Sequence, residues 1–176
     1  MAGCFNMQFI TDYFFPKKIK VLMVCMANIC RSPMAHAILR NLVKEQGLSD
    51  KIQIESAGTH VPIRGLLPDK RTLNVLNRRG INSKGLKTRQ LKAVDGAKYN
   101  YILVMDNSNM AIALKIIDEG CQNIKYILDY ATHINTLDVP DPYYGHPDQF
   151  EEVYNILEPA CRGVLKKINQ IDSNLG

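Results

Sequence analysis

Cys25 and Arg31 stand six positions apart in the stretch Cys25-Met26-Ala27-Asn28-Ile29-Cys30-Arg31-Ser32, which Pro33 follows at once. A thiol and a guanidinium at the two ends of one short loop suit the chemistry of an oxyanion. A loop that curls back on itself turns successive backbone N–H groups inward, and a following helix adds its positive end. Phosphate or a similar dianion fits such a cup, which Met26, Ala27, Asn28, Ile29, Cys30 and Ser32 would line. Arg31 adds a planar fork of donors that grips two oxygens at once, which lysine does not. The same positive field favours a cysteine thiolate. A thiolate beneath a bound phosphoryl group is an in-line nucleophile.

The elements that would hold this loop are legible on both sides of it. Ile19, Val21, Leu22, Met23 and Val24 form an apolar run that reads as a strand. Ser32-Pro33 reads as a helix start, with Ser32 as N-cap and Pro33 at the first helical position. Ala35, Ile38, Leu39, Leu42 and Val43 then recur on one helix face until Gly47, a C-terminal stop. Along the chain, strands are expected at 20–24, 52–55, 101–105 and 125–128, and helices at 33–46, 69–79, 108–119 and 147–171. Gly80 and Gly120 sit where helix stops belong. This alternation predicts an α/β fold: an open, mostly parallel, four-stranded twisted sheet with helices on both faces. Ligands of such sheets bind beyond the carboxyl ends of the strands, where the Cys25 loop leaves the first one.

A phosphocysteine would need an acid for the departing oxygen and then a base for water, and one carboxyl group can serve as both. Asp141 in Asp141-Pro142-Tyr143-Tyr144-Gly145 is the candidate. Pro142 biases Asp141 toward extended backbone and Gly145 permits a turn. Tyr143 and Tyr144 would wall a cleft for a flat ring. The plainer alternative is an ordinary turn, for which Asp-Pro and Tyr-Gly are common dipeptides.

The whole chain sets the frame for this chemistry. Its 176 residues, 46% of them hydrophobic, are most simply one domain with a sizeable core. The expected division is an N-terminal extension at 1–18 and a domain at 19–173. Phe5, Phe9, Tyr13, Phe14 and Phe15 make the extension aromatic, as a loosely docked tail or a partner contact would be. The start lacks a secretory pattern and no apolar run is long enough to span a membrane, so a cytoplasmic protein is expected. Five dispersed cysteines fit reduced thiols better than a disulfide framework. Neither the cysteines nor His36, His60, His133 and His146 have the spacing of a metal site, so no metal is expected. The net charge of +5 favours an anionic substrate. The basic residues are spread along the chain without an aromatic-rich basic motif, which argues against nucleic acid.

With these motifs in hand, the stretch from Val24 to Pro33 resembles the active-site signature of low-molecular-weight protein tyrosine phosphatases, and Asp141 to Gly145 resembles their general-acid loop. Glu55-Ser56-Ala57-Gly58-Thr59, Pro68-Asp69, Gly80-Ile81-Asn82 and Met105-Asp106 with Ser108-Asn109 match in order between them, so the similarity runs from about residue 19 to 171. The resemblance implies hydrolysis of protein tyrosine phosphate and small aryl phosphates by a monomer or weak dimer, without a cofactor. Cys25 would be the nucleophile, Arg31 the phosphate clamp and Asp141 acid then base. Ser32 would bond the thiolate, Asn28 and Ser56 would brace the loop, and Cys30 would trap an oxidised Cys25 as a reversible disulfide. Ala27 stands where the signature usually has glycine, so a positive φ there would be strained. With no tryptophan in the chain, Pro62 or Ile63 is expected to line the cleft instead. The rival enzyme, a thiol-coupled arsenate reductase, would need relay cysteines that are missing between Arg31 and Cys121. A phosphotyrosine-binding module without catalysis would need neither Cys25 nor Asp141.

Overall fold

The computed structural model describes residues 18–173, so the expected extension at 1–18 lies outside the described residues apart from Lys18. Four strands form one sheet: β1 (Ile19–Cys25), β2 (Ile52–Gly58), β3 (Tyr101–Val104) and β4 (Ile124–Tyr126). Their order is β2-β1-β3-β4 and every pairing is parallel. Five helices accompany them: α1 (Arg31–Glu45), α2 (Lys70–Arg78), the single turn α3 (Asp95–Lys98), α4 (Asn107–Ile117) and α5 (Asp148–Ser173). Among the described residues, no helix is long and apolar enough to cross a membrane.

Strand alternation divides the core into two layers. Val21 and Met23 with Leu103 face α1, α2 and α5, while Leu22, Val24, Ile102 and Val104 face α4. Both faces of the sheet are therefore covered, which is why β1 and β3 read as nearly continuous apolar runs. Helix α5 presents Phe150, Val153, Leu157, Cys161, Val164 and Ile168 as one buried stripe and continues through Pro159. Each such side chain adds about 1.5–3 kcal/mol of apolar burial.

The expected elements all occur, with shifted ends. The fourth strand is three residues, and Ile127–Tyr130 turns into a 3₁₀ helix in which Ile127 and Leu128 are buried. Helix α4 stops at Ile117, before Gly120. Gly47 and Gly80 have φ of 69° and 67°, the left-handed geometry of a residue just past a helix end. Helix α1 corrects one expectation: it begins at Arg31 with Cys30 as N-cap and no side-chain cap, so Ser32 and Pro33 lie inside the first turn. Pro33 costs no hydrogen bond there, because the first four N–H groups of a helix have no intrahelical acceptor.

Because β1 connects to β2 on one side while β3 pairs on its other side, the chain changes direction between β1 and β3. A crevice forms at such a switch point, at the carboxyl ends of the two strands. Cys25 ends β1, and Asp106 follows β3 by two residues.

Candidate active site

Residues 26–30 join β1 to α1, and the neighbours of this loop fix its shape. The N–H groups of Thr59, His60 and Asp69 donate to the carbonyls of Cys25, Met26 and Ile29, each at 2.9 Å. Met34 N–H and Thr72 Oγ1 both reach the Cys30 carbonyl. With those carbonyls held from outside, trans peptide geometry turns the N–H groups of Met26, Ala27, Cys30 and Arg31 the opposite way. Gly58 permits this closeness: a Cβ on it would lie 2.5 Å from the Met26 carbonyl oxygen and 2.6 Å from a Val61 methyl.

The left-handed residue of the loop is Asn28, with φ of 59°, and not Ala27. The strain expected from alanine in place of glycine does not arise, since asparagine tolerates this region far better than most side chains. Asn28 is buried and works at both ends: its Nδ2 donates to Ser32 Oγ at 2.9 Å and its Oδ1 accepts from Arg89 N–H at 3.0 Å. Ser32 Oγ in turn lies 3.0 Å from Cys25 Sγ and 3.3 Å from the Ala57 carbonyl. A hydroxyl has one proton to give. Asn28 fills an acceptor site on Ser32, which leaves Cys25 Sγ and the Ala57 carbonyl as the other partners of the hydroxyl. The Ser32 side chain is thus committed to Cys25, Asn28 and the Ala57 carbonyl, which explains why it does not cap the helix.

Ser56 sits elsewhere. Its Oγ is 3.4 Å from His36 Nδ1, so its hydroxyl meets α1 rather than serving as the expected brace of the loop. Burial, with the Arg40 charge adding and Glu55 opposing, pushes the His36 imidazole down to about 3 from 6.5. A histidine depressed on folding is protonated more readily in the unfolded chain, so its contribution is full above pH 6.5 and is lost as pH falls toward 3. Urea unfolding at about pH 7.5 and about pH 5 is expected to show a loss of about 2 kcal/mol in the parent chain that His36→Gln lacks. An equal loss in both proteins would refute this assignment.

Arg31 enters the site from the first turn of α1, with its side chain 4% exposed. Nη1 donates to Asp106 Oδ2 at 2.5 Å and to the Val139 carbonyl at 3.0 Å, and Nη2 meets Asp141 Oδ2 at 2.5 Å. Burial works against its charge, and Cys25, Asp141 and Asp106 outweigh that, holding the guanidinium above the ordinary arginine value. Asp106, matched in the Met105-Asp106 segment but given no role there, is a site residue. It caps α4, accepting Asn109 N–H at 2.6 Å on one oxygen while the other orients Arg31.

Asp141 lies in the loop before α5. Its Oδ1 accepts Tyr143 N–H at 3.1 Å, and Gly145 N–H closes the turn onto the Pro142 carbonyl at 3.0 Å. The rings of Tyr143 and Tyr144 meet edge to face with centroids 4.9 Å apart, and Tyr144 is 95% exposed. Cys25, Arg31 and Asp141 line one cleft of about 360 Å³ together with Met26, Ala27, Ile29, Cys30 and the two tyrosines. Pro62 and Ile63 line it as expected, and His60 and Leu66 join them. Thus the structure brings together the nucleophile candidate, the guanidinium and the carboxyl group, drawn from segments more than 100 residues apart.

The family described as low molecular weight phosphotyrosine protein phosphatase matches residues 20–174. The low molecular weight protein-tyrosine-phosphatase YfkJ of Bacillus subtilis is 39% identical over 153 residues, covering 86% of this chain and 97% of that protein. A low molecular weight phosphotyrosine protein phosphatase of Schizosaccharomyces pombe is 40% identical over 154 residues, covering 86% and 98%. Among solved structures, YfkJ superposes with a TM-score of 0.83 at 38% identity, covering 88% of this chain and 96% of that one. A protein tyrosine phosphatase of Entamoeba histolytica with Hepes in its active site gives 0.82 at 35% identity, covering 88% and 99%. On sequence and fold alike, the chain belongs to the low molecular weight phosphotyrosine protein phosphatase family.

Proposed function

We infer that this protein hydrolyses tyrosine phosphate in proteins, and small aryl phosphates, through a phosphocysteine intermediate. The observation that carries this reading is that Arg31 spans the site, with Cys25 and Asp141 in the same cleft. Arg31 Nη2 and the loop N–H groups take the phosphate oxygens, so that the dianion displaces the Asp141 carboxyl from its guanidinium contact toward the ester oxygen. Cys25 Sγ attacks phosphorus in line. As the S–P bond forms and the P–O bond breaks, Asp141 gives its proton to the departing phenolic oxygen. Water then enters, Asp141 takes its proton, the new P–O bond forms, and Cys25 leaves as a thiolate held by Ser32.

The apolar cleft supports an aryl ester. Met26, Ile63 and Leu66 line its wall beside Tyr143 and Tyr144, which suits a flat ring. A thiolate at the bottom of a narrow cup is reached by a phosphate on a long aromatic linker and not by phosphoserine. The test is to mix the protein with an aryl phosphate, quench within one turnover and search for the phosphoryl group by mass spectrometry. A phosphoryl group on the peptide bearing Cys25 is expected; turnover without it, or no turnover, would overturn the reading.

Cys30 supplies the redox part of the proposal. Burial, with Asp69 and Cys25 adding, pushes its thiol well above the usual thiol range. It therefore does not compete as a nucleophile while Cys25 is reduced. Peroxide oxidises Cys25 to a sulfenic acid; the Cys30 thiol then condenses with it, forming the disulfide and releasing water, and an added dithiol restores both thiols. Mild peroxide is expected to inactivate both the parent and Cys30→Ser, with most activity recovered by dithiothreitol only in the parent. Equal recovery would remove Cys30 from this role.

A further inference from the structure

Arg71, in the first turn of α2, is not used by the mechanism above, yet its guanidinium joins the two halves of the site. Nε and Nη2 hold Asp69 Oδ1 and Oδ2 at 3.0 and 2.9 Å. Nη2 also donates to the Tyr143 carbonyl at 2.9 Å, and Nη1 donates to the Gly145 carbonyl at 3.2 Å. The Phe150 ring lies beneath it with its centroid 4.4 Å away. Asp69, its ion-pair partner, is itself tied to the nucleophile loop through its N–H bond to the Ile29 carbonyl at 2.9 Å. One continuous path therefore runs from the Cys25 loop through Asp69 and Arg71 to the two carbonyls that follow Asp141.

A half-buried Arg–Asp pair that only started a helix would have no use for two backbone carbonyls more than 70 residues away. Only a planar group with five N–H donors can grip a carboxylate and two carbonyls at once. We propose that Arg71 is a positioning residue: it fixes the 141–145 turn at a set distance from the nucleophile loop, and so places the Asp141 carboxyl over the leaving oxygen. This rests on the reading of Asp141 as the leaving-group acid. Asp141 itself has one local restraint, the Tyr143 N–H, and that residue is the one whose carbonyl Arg71 holds.

The mechanism makes this testable through the leaving group. kcat/KM ends at departure of the phenol, so a displaced acid penalises phenyl phosphate, whose phenolate needs the proton, far more than p-nitrophenyl phosphate, whose phenolate leaves readily. Misplacing a catalytic group by about 1 Å costs up to about 100-fold. In Arg71→Met, kcat/KM for phenyl phosphate is expected to fall by about 10- to 100-fold and that for p-nitrophenyl phosphate by about 3-fold. Inhibition by inorganic phosphate should change by less than about 3-fold, because Arg31 is untouched.

Asp69→Asn gives the same selectivity to a smaller degree; asparagine keeps an oxygen to cap α2, so this variant carries the test if Arg71→Met fails to fold. Asp141→Asn, run alongside, separates the two ideas. If it shows the selectivity and the Arg71 and Asp69 variants lower both substrates equally or not at all, the positioning role is overturned and the acid assignment stands. If Asp141→Asn shows no selectivity, the acid assignment fails and the role of Arg71 fails with it.

Discussion

Cys25→Ser is expected to lower kcat for an aryl phosphate by at least about 10⁴-fold while leaving phosphate binding intact. The two halves of this expectation come from different atoms. On the proposed mechanism, turnover depends on a thiolate that attacks phosphorus and later departs. A serine hydroxyl is a far weaker nucleophile at neutral pH and a worse leaving group, and Ser32, 3.0 Å from this position, has no base behind it to activate one. Binding, on the same proposal, depends on Arg31 and on backbone N–H groups whose directions are set by Thr59, His60, Asp69, Met34 and Thr72. None of these partners bonds the sulfur, so the cup survives the substitution. Because the substitution takes away none of the groups proposed to bind phosphate, titration calorimetry is expected to give a phosphate Kd no weaker than that of the parent chain. Residual activity within about 10-fold of the parent would refute Cys25 as nucleophile. Loss of phosphate binding would refute the independence of cup and thiol.

What the sequence made legible is what local rules encode. β1, its loop and α1 follow from an apolar run, a loop with cysteine and arginine at its ends, and a helical face, and the α/β alternation follows from the same periodicities. Local signals went astray where a tertiary partner outweighed them. Ser32 carries the N-cap signal, but Cys25, Asn28 and the Ala57 carbonyl take its hydroxyl and the helix starts two residues earlier. Ile127 and Leu128 are apolar enough for a strand, and burial is satisfied equally by a 3₁₀ turn packed on α5. The four-residue α3 is too short to leave a period.

The residues missed at the site share one property. Asp106, Arg71 and Arg89 act on segments 75, 72 and 61 residues away, so no spacing along the chain announces them. Asp106 falls in the matched Met105-Asp106 segment and also carries a local clue to a role, as an N-cap at the carboxyl end of a strand, where an α/β sheet builds its ligand sites. The concern over Ala27 failed for a related reason: the left-handed position is set by the path of the backbone past Gly58, and it falls on Asn28.

Arg31→Lys keeps the charge and is nonetheless expected to lower kcat/KM for an aryl phosphate by about 10³-fold. The present contacts give the reason. Nη1 is held by Asp106 Oδ2 and the Val139 carbonyl, which fixes the plane of the guanidinium and leaves Nη2 on the side of Asp141 and the cleft. On the proposed reading, orientation and phosphate binding are thus divided between two nitrogens on a rigid plane. An ammonium has one nitrogen for both tasks: drawn to Asp106 it abandons the phosphate, and drawn to the phosphate it leaves a carboxylate without its partner at the base of the site. The second arrangement also costs stability, about 1–3 kcal/mol for a charged group that loses its hydrogen-bond partner. If position rather than charge is what Arg31 provides, the loss should appear in kcat as well as KM, since the equatorial phosphate oxygens need the oriented Nη2 most in the transition state. Asp106→Asn then becomes the informative partner variant. It keeps a neutral acceptor for Nη1 and is expected to cost less than Arg31→Lys, with the same kcat signature. A lysine variant within about 10-fold of the parent would mean that the site needs a positive charge and not a fork.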